Sequence, residues 1–364
     1  MMIYPSKNDF SQLEINSIKL PNNFDIKRNG SIISESILKY NNTNSTNIVN
    51  LKKQNKINHI DLSKFTEFEY FTNDSKESNE VFVNISYGNS KLKTILLKKQ
   101  NDEILNIESL YKTEFENENI LGISGSEFIK GECAVVTNEN IYLSGQYWNN
   151  YKEKVATDIE PLFKSDIKCK NVSFGNNPRH LIYNDYSQVL NIDSRIKTNR
   201  NKELLKLPCK YLDKNELIYR SKKLQNDFNC HLICCSNSMI VIDERFNNYP
   251  LLKWKHNIKS SINLMENFSI DLEDYETYFC IFSDSKNIFS NQFSLKLNNV
   301  PICQNYPLKL DSISDFYRDI SECSFHNKTL NRILNQNSQK PILGLSHVKK
   351  GNSFALFQVF LKPL

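Results

Sequence analysis

Glycine is scarce in this chain, with 9 residues of 364 against 50 asparagines. Sharp turns therefore fall to Asn, which tolerates left-handed backbone angles and hydrogen-bonds its own turn. Long apolar runs are also missing. No stretch approaches the roughly 18 apolar residues of a spanning helix, so no membrane segment is expected. The opening, MMIYPSKNDFSQLEINSIKL, lacks a basic segment followed by an apolar one, and no export leader is expected there. Nine cysteines make an odd number without framework spacing, which reads as reduced, mostly buried thiols in a cytosolic or nuclear protein.

The motifs of common enzymes are absent too. There is no phosphate-cradling Walker loop, no dinucleotide glycine fingerprint and no kinase set. Gly122–Ser126 (GISGS) has the wrong spacing for a nucleophile elbow and no strand-to-helix setting. Cys230-His231-Leu232-Ile233-Cys234-Cys235 invites a metal reading. On a strand, however, Cys230 and Cys234 face one way while His231 and Cys235 face the other, and no Cys-x-x-Cys pair supplies further converging ligands. No catalytic, cofactor-binding or metal-binding residues are nominated, and the expectation is a non-enzyme without cofactors.

Charge is mildly biased, with 46 Lys and Arg against 41 Asp and Glu. The surplus sits in residues 1–60, which hold 8 basic and 4 acidic residues and read as a partly disordered basic segment able to supply a closing strand. Contact with nucleic acid is permitted but not demanded. Asn41–Asn47 (NNTNSTN) is low-complexity drift. Lys91–Lys99 (KLKTILLKK) reads as a charged face or edge that discourages aggregation.

What the chain does contain is a repeated strand–turn–strand unit. It begins at Phe82, Cys133, His180, His231 and Tyr278, at offsets of 51, 47, 51 and 47 residues, and again at Ile342 after 64. Each unit sets two apolar runs around polar turn residues such as TNEN, NDYSQ, SNS or SDSKN, the chemistry of a β-hairpin. A period of 40–50 residues built from short strands is the signature of a β-propeller, whose blades bury both faces only when stacked around an axis. The expected fold is all-β: a WD-like β-propeller of six or seven degenerate blades over residues 61–364. Spacing of Ile313, Phe316, Tyr317 and Ile320 adds a short helical insertion at about 309–336, and Asp102–Phe115 is a second helix or loop candidate.

Two units share a joint: apolar run, then Asp-x-Arg, at Asp193/Arg195 and Asp243/Arg245. Asp at a strand end is expected to accept backbone N–H bonds in its own turn, a structural and not a catalytic role. Pro250–Trp254 would be the following strand, with His256 beyond it.

Three stretches resemble one family. Asn176–Arg195 (NNPRHLIYNDYSQVLNIDSR), Leu232–His256 (LICCSNSMIVIDERFNNYPLLKWKH) and Gly131–Leu143 (GECAVVTNENIYL) are similar to propeller blades of the C-type TATA-binding-protein-associated factors of RNA polymerase I. The fungal counterpart is the Rrn-six subunit of core factor. The resemblance covers about residues 120–300. It implies a non-catalytic scaffold subunit of the selectivity, or core promoter, factor, acting in initiation at ribosomal RNA genes. The implied partners are TATA-binding protein, the other selectivity-factor subunits and RNA polymerase I, with promoter DNA contact left open. The implied location is the nucleus and nucleolus. The motif matches are Pro178, Arg179, Asp193, Arg195, Asp243, Glu244, Arg245, Phe246, Pro250, Leu251, Leu252, Trp254 and His256, expected to hold blades and shape an interaction face. The alternatives are a WD-like adaptor in another multiprotein complex, and an enzyme whose site is built from loops on the axis.

Overall fold

The structure is a computed structural model. It describes residues 2–6, 9–16, 47–50, 57–68, 75–100, 104–157, 170–196, 202–310 (except 228, 273–274, 285 and 298–299), 342–350 and 353–360. Among these the chain is all antiparallel β, with one 3₁₀ turn at Asn149–Tyr151.

Seven sheets follow one another along the chain. The first is β1 (Met2–Ser6), β2 (Asp9–Asn16) and β3 (Asn47–Asn50). The second is β4 (Ile57–Phe68), β5 (Ser75–Tyr87), β6 (Lys91–Gln100) and β7 (Ile104–Glu114). The third is β8 (Ile120–Gly125), β9 (Cys133–Thr137), β10 (Asn140–Ser144) and β11 (Lys152–Thr157). The fourth is β12 (Asn171–Phe174), β13 (His180–Asn184), β14 (Gln188–Asp193) and β15 (Lys202–Lys206). The fifth is β16 (Ile218–Lys223), β17 (Cys230–Cys235), β18 (Ser238–Asp243) and β19 (Leu252–Lys255). The sixth is β20 (Leu264–Leu272), β21 (Tyr275–Ser283), β22 (Ile288–Leu297), β23 (Val300–Cys303) and β24 (Leu308–Leu310). The last is β25 (Ile342–Lys350) and β26 (Ser353–Phe360). Strands pair in chain order within each sheet, except that β23 and β24 share the outer side of β22.

All six hairpins read from the repeat are present, five as the second and third strands of a sheet and the sixth as β25–β26. Three of the described turns are closed by short polar side chains. The carboxylate of Asp185 accepts the Ser187 and Gln188 amides at 2.8 and 3.0 Å, and that of Asp284 accepts Lys286 and Asn287 at 2.7 and 2.6 Å. Thr137 Oγ1 accepts the Asn140 amide at 2.9 Å. Asn does the work of glycine: Asn89, Asn117, Asn150 and Asn257 all carry positive φ.

In the second to sixth sheets the described residues of the middle strands are largely buried on both faces, so these strands are apolar with little alternation. Period two sends alternate residues to opposite neighbours. Ala134 and Val136 join a core with Leu181 and Tyr183 of the fourth sheet, whereas Cys133 and Val135 join Leu92 and Tyr111 of the second. Ile182 turns the other way, to Ile233, Cys235, Ile240 and Ile242. Cys230, Leu232 and Cys234 pack on Tyr278, Cys280 and Phe282 of the sixth sheet, and Phe268, Ile270 and Ile281 pack on Ile342. At roughly 1.5–3 kcal/mol for each fully buried large apolar side chain, these shared cores are the main force holding the sheets together.

The leading strands β4, β8, β12, β16 and β20 each contact the next, β20 contacts β25, and β25 contacts β4. Strand β1 also lies against β26.

Three sequence expectations are corrected or fall elsewhere. Asp102–Phe115 is no helix: residues 104–114 form β7, and along its end and the next residue Tyr111, Thr113 and Phe115 are buried and Lys112 and Glu114 exposed, an alternation of period two. The lysine run at 91–99 is no charged edge: β6 is an inner strand and Lys93 is buried, which pulls its ammonium below the usual value. Of the helical insertion, residues 309–310 belong to β24, pairing with β22, and 311–336 lie outside the described residues.

Candidate functional site

The Asp-x-Arg joints are corners between the third and fourth strands of the fourth and fifth sheets. Each strand ends on its Asp because that side chain closes the turn. Arg245 N donates to Asp243 Oδ1 at 2.9 Å, and Arg195 N to Asp193 Oδ1 at 3.0 Å. In both, the arginine folds back as a fork, with Nε and Nη2 on the carboxylate (2.9 and 2.6 Å in each). This fork holds both carboxyls below the usual range, against the opposing effect of burial.

Adjacent residues tie the sheets at the same edge. Glu244 Oε2 meets the buried His231 at 3.1 Å and accepts from Asn191 Nδ2 of the fourth sheet at 3.1 Å. Glu132, in the β8–β9 loop, accepts from Arg179 Nη1 at 3.0 Å and from Trp148 Nε1 at 3.1 Å, and the Arg179 guanidinium lies 5.0 Å from the Trp148 ring. Burial pushes the Glu132 carboxyl up, and Arg179 opposes this. Asn226 bonds Glu276 of the sixth sheet at 2.7 Å. Neither Glu132 nor Asn191 was nominated by the sequence, since only the fold reveals their partners.

The remaining motif residues divide by environment. Pro178 is half-buried beside Arg179 in the β12–β13 loop. Phe246 and Leu251 are exposed, while Pro250 and Leu252 are half-buried. Trp254 packs on Phe293 of the sixth sheet with ring centroids 5.3 Å apart. His256 is buried: its Nε2 lies 2.9 Å from the Cys235 carbonyl and its Nδ1 accepts the Ile258 amide at 3.1 Å. Burial holds its pKa down, so it is neutral at pH 7. His231 and the strand cysteines do not converge. Cys230 and Cys234 enter the core with the sixth sheet, and Cys235 the core with the fourth. Burial pushes the thiols up, that of Cys133 to about 12, which leaves them protonated and poor nucleophiles at neutral pH.

A second cluster was not legible in the sequence. Asp61 on β4, Gly125 on β8, Lys222 on β16 and Glu266 on β20 come from the leading strands of four sheets. The Gly125 amide donates to Asp61 Oδ2 at 2.5 Å, and Lys222 Nζ pairs with Glu266 Oε2 at 2.6 Å. Lys223 Nζ reaches Glu127, past the β8 end, at 3.4 Å. Groups of non-adjacent sheets meet here because the leading strands face a shared interior. Burial raises Asp61 to about 6, with the Gly125 amide and Lys222 opposing the rise. Burial alone would lower Lys222, but Glu266, with Asp61 and Glu127 behind it, lifts its ammonium above the usual value. Chemically, the cluster offers one carboxyl that exchanges a proton near pH 6 beside a closed ion pair.

The fold and corners define an all-β chain of repeated antiparallel meanders fastened at their edges by acid–arginine pairs. No protein-family model matches the chain, and no curated protein does. Among solved structures it is similar to a chain in the crystal structure of S. cerevisiae core factor at 3.2 Å resolution, with 13% identity and a TM-score of 0.56 over 86% of this chain and 48% of that one. The likeness is one of fold, and this chain spans about half the length of its counterpart. A chain of a ctPRC2 complex with H3K27me3 and H3K27M is more remote, at 8% identity and TM-score 0.43 over 66% of this chain and 49% of that one, and carries no argument.

Proposed function

We propose that the chain is a non-catalytic scaffold subunit of an RNA polymerase I core promoter factor, built as a propeller of six irregular blades. The second to sixth sheets are five blades. The sixth blade is composite, with β25–β26 completed by the N-terminal β1–β3, so that residues 1–60 serve residues 61–364. The succession of leading-strand contacts, returning from β25 to β4, supports this arrangement. The observation that carries the functional reading is the likeness to core factor over 86% of the chain. It is joined by the placement of Asp243–His256 at a sheet corner, where the resembling motif would act as a joint.

On this reading the partners are TATA-binding protein, the other factor subunits and polymerase I, in the nucleus and nucleolus. Affinity purification of the tagged chain with mass spectrometry tests it. Polymerase I subunits and TATA-binding protein are expected. Recovery of an unrelated assembly without them would favour a general propeller adaptor instead.

The convergence of Asp61, Lys222 and Glu266 favours a second reading, an enzyme with a site on the axis. Against it, Asp61 Oδ2 is engaged by a backbone amide and Lys222 by Glu266. An Asp61→Asn chain that still recovers the polymerase I factors at wild-type yield supports the scaffold. One that loses a substrate turnover measurable in the wild type supports the enzyme.

A further inference from the structure

Antiparallel order places the loops after the first and third strands of a sheet on one edge, and the loops after the second on the other. The ties described above fix which edges match between sheets. Glu132–Arg179 joins first loops of the third and fourth sheets, Asn191–Glu244–His231 joins the fourth to the fifth, and Asn226–Glu276 the fifth to the sixth. One continuous edge therefore carries Arg179, Arg195 and Arg245.

These three arginines share a vertical order. The acids lie beneath: side-chain exposure is 1% for Glu132, 18% for Asp193 and 8% for Asp243. The guanidinium groups lie above them, at 28%, 63% and 57%. Each pair is close to neutral in sum, but its positive end faces solvent and its negative end faces protein. The edge consequently presents a row of rigidly held positive forks. In the Asp-x-Arg pairs Nε and Nη2 face the Asp, which turns the Nη1 edge away from it.

Large apolar side chains stand exposed beside each fork. Tyr147 follows the third strand of the third sheet, Ile196 that of the fourth, and Phe246, Tyr249 and Leu251 that of the fifth. Folding alone gives no reason to place large apolar side chains in water at the same loop of three successive sheets. Exposed aromatics interleaved with arginine have the composition of interface anchors.

We propose that this edge is a docking surface for a protein segment in which carboxylates alternate with aliphatic or aromatic side chains. The carboxylates meet the outward guanidinium forks, and the apolar side chains cover Ile196, Phe246 and Tyr249. The partner is acidic because the potential it meets is that of the outward arginines. It is apolar as well, because a purely acidic chain would leave the rings in water. The assignment deepens the scaffold reading and rests on it, but not on which complex is served.

The test uses the full chain and a fluorescein-labelled peptide alternating Glu with Leu and Phe, followed by anisotropy. The same peptide with Lys for Glu is the control, as is a short DNA duplex. The acidic peptide is expected to bind and the lysine peptide not to bind. Phe246→Ser/Tyr249→Ser should weaken binding by about tenfold. Both side chains are exposed, so the variant should keep the wild-type melting curve. Arg245→Gln should weaken binding and Arg245→Lys restore part of it, while Tyr306→Ser, at an exposed site on the sixth sheet, should change nothing. Equal binding of the two peptides would overturn the proposal, as would indifference to the double variant. So would tight DNA binding that depends on Arg245 but not on the rings. The two readings also fail separately: if the double variant still recovers the polymerase I factors at full yield, the docking edge is wrong and the scaffold stands. If the peptide docks as described but another assembly copurifies, the edge stands and the complex is wrong.

Discussion

Asp243 and Asp61 are both strand carboxylates, and their surroundings shift them in opposite directions. Asp243 is held below its usual 3.8 by the Arg245 fork and amide, with burial opposing. Its contribution to stability is fully present above the unfolded value and is lost as pH falls through the lower folded one. Asp243→Ala should cost about 1–3 kcal/mol in a denaturant melt at pH 7, and Asp243→Asn should flatten the steep acid limb of stability below pH 4. Unchanged melting in both would remove the corner's structural role. Asp61 is raised from 3.8 to about 6 by burial. The folded state then holds the extra proton between those values, so stability declines as pH rises from 3.8 to 6 and the cost persists above. Asp61→Asn keeps an acceptor for the Gly125 amide and should stabilise the chain at pH 7.5 by about 1–2 kcal/mol, allowing for solvent access, with little gain at pH 4. Equal effects at both pH values would contradict the burial argument. The Asp243 corner was legible in the sequence because its fastener lies two residues away. Asp61 was not, because its partners lie 64, 161 and 205 residues along the chain, at Gly125, Lys222 and Glu266.

At the scale of the element, hairpins were legible where both the apolar runs and the turn chemistry are local, as at Asp185 and Asp284. Strand β7 was misread because ILNIESLYKTE mixes helix-forming residues with an alternation that only burial reveals. Neither β23 nor β24 was anticipated, since both are short and neither has a fully buried residue. The fourth strands also carry the contacts that bind one sheet to the next. Trp254 of β19 packs on Phe293, yet its indole Nε1 is buried without a hydrogen-bond partner among the described residues. Replacing the ring should therefore matter more than losing the N–H. Trp254→Ala should cost about 3 kcal/mol, whereas Trp254→Phe should stay within about 1 kcal/mol of the wild type or exceed it. Chemical denaturation separates the two, and equal losses would mean that the N–H has a partner.

For the whole molecule, the repeat of 47–51 residues was enough to expect stacked meanders, because each apolar hairpin needs a neighbour on both faces. It could not say how the chain ends meet, since β1 and β26 lie more than 300 residues apart in sequence. On the proposed reading β25 stands between β20 and β4 and closes the ring, and the edge bearing Arg179, Arg195 and Arg245 keeps its shape because the ring is closed. Hydrogen exchange on the full chain and on a chain ending at residue 341 tests this most directly. Loss of protection in both Leu264–Leu272 and Ile57–Phe68, on either side of the missing β25, is the predicted result. Full retention in both strands would contradict the closed ring.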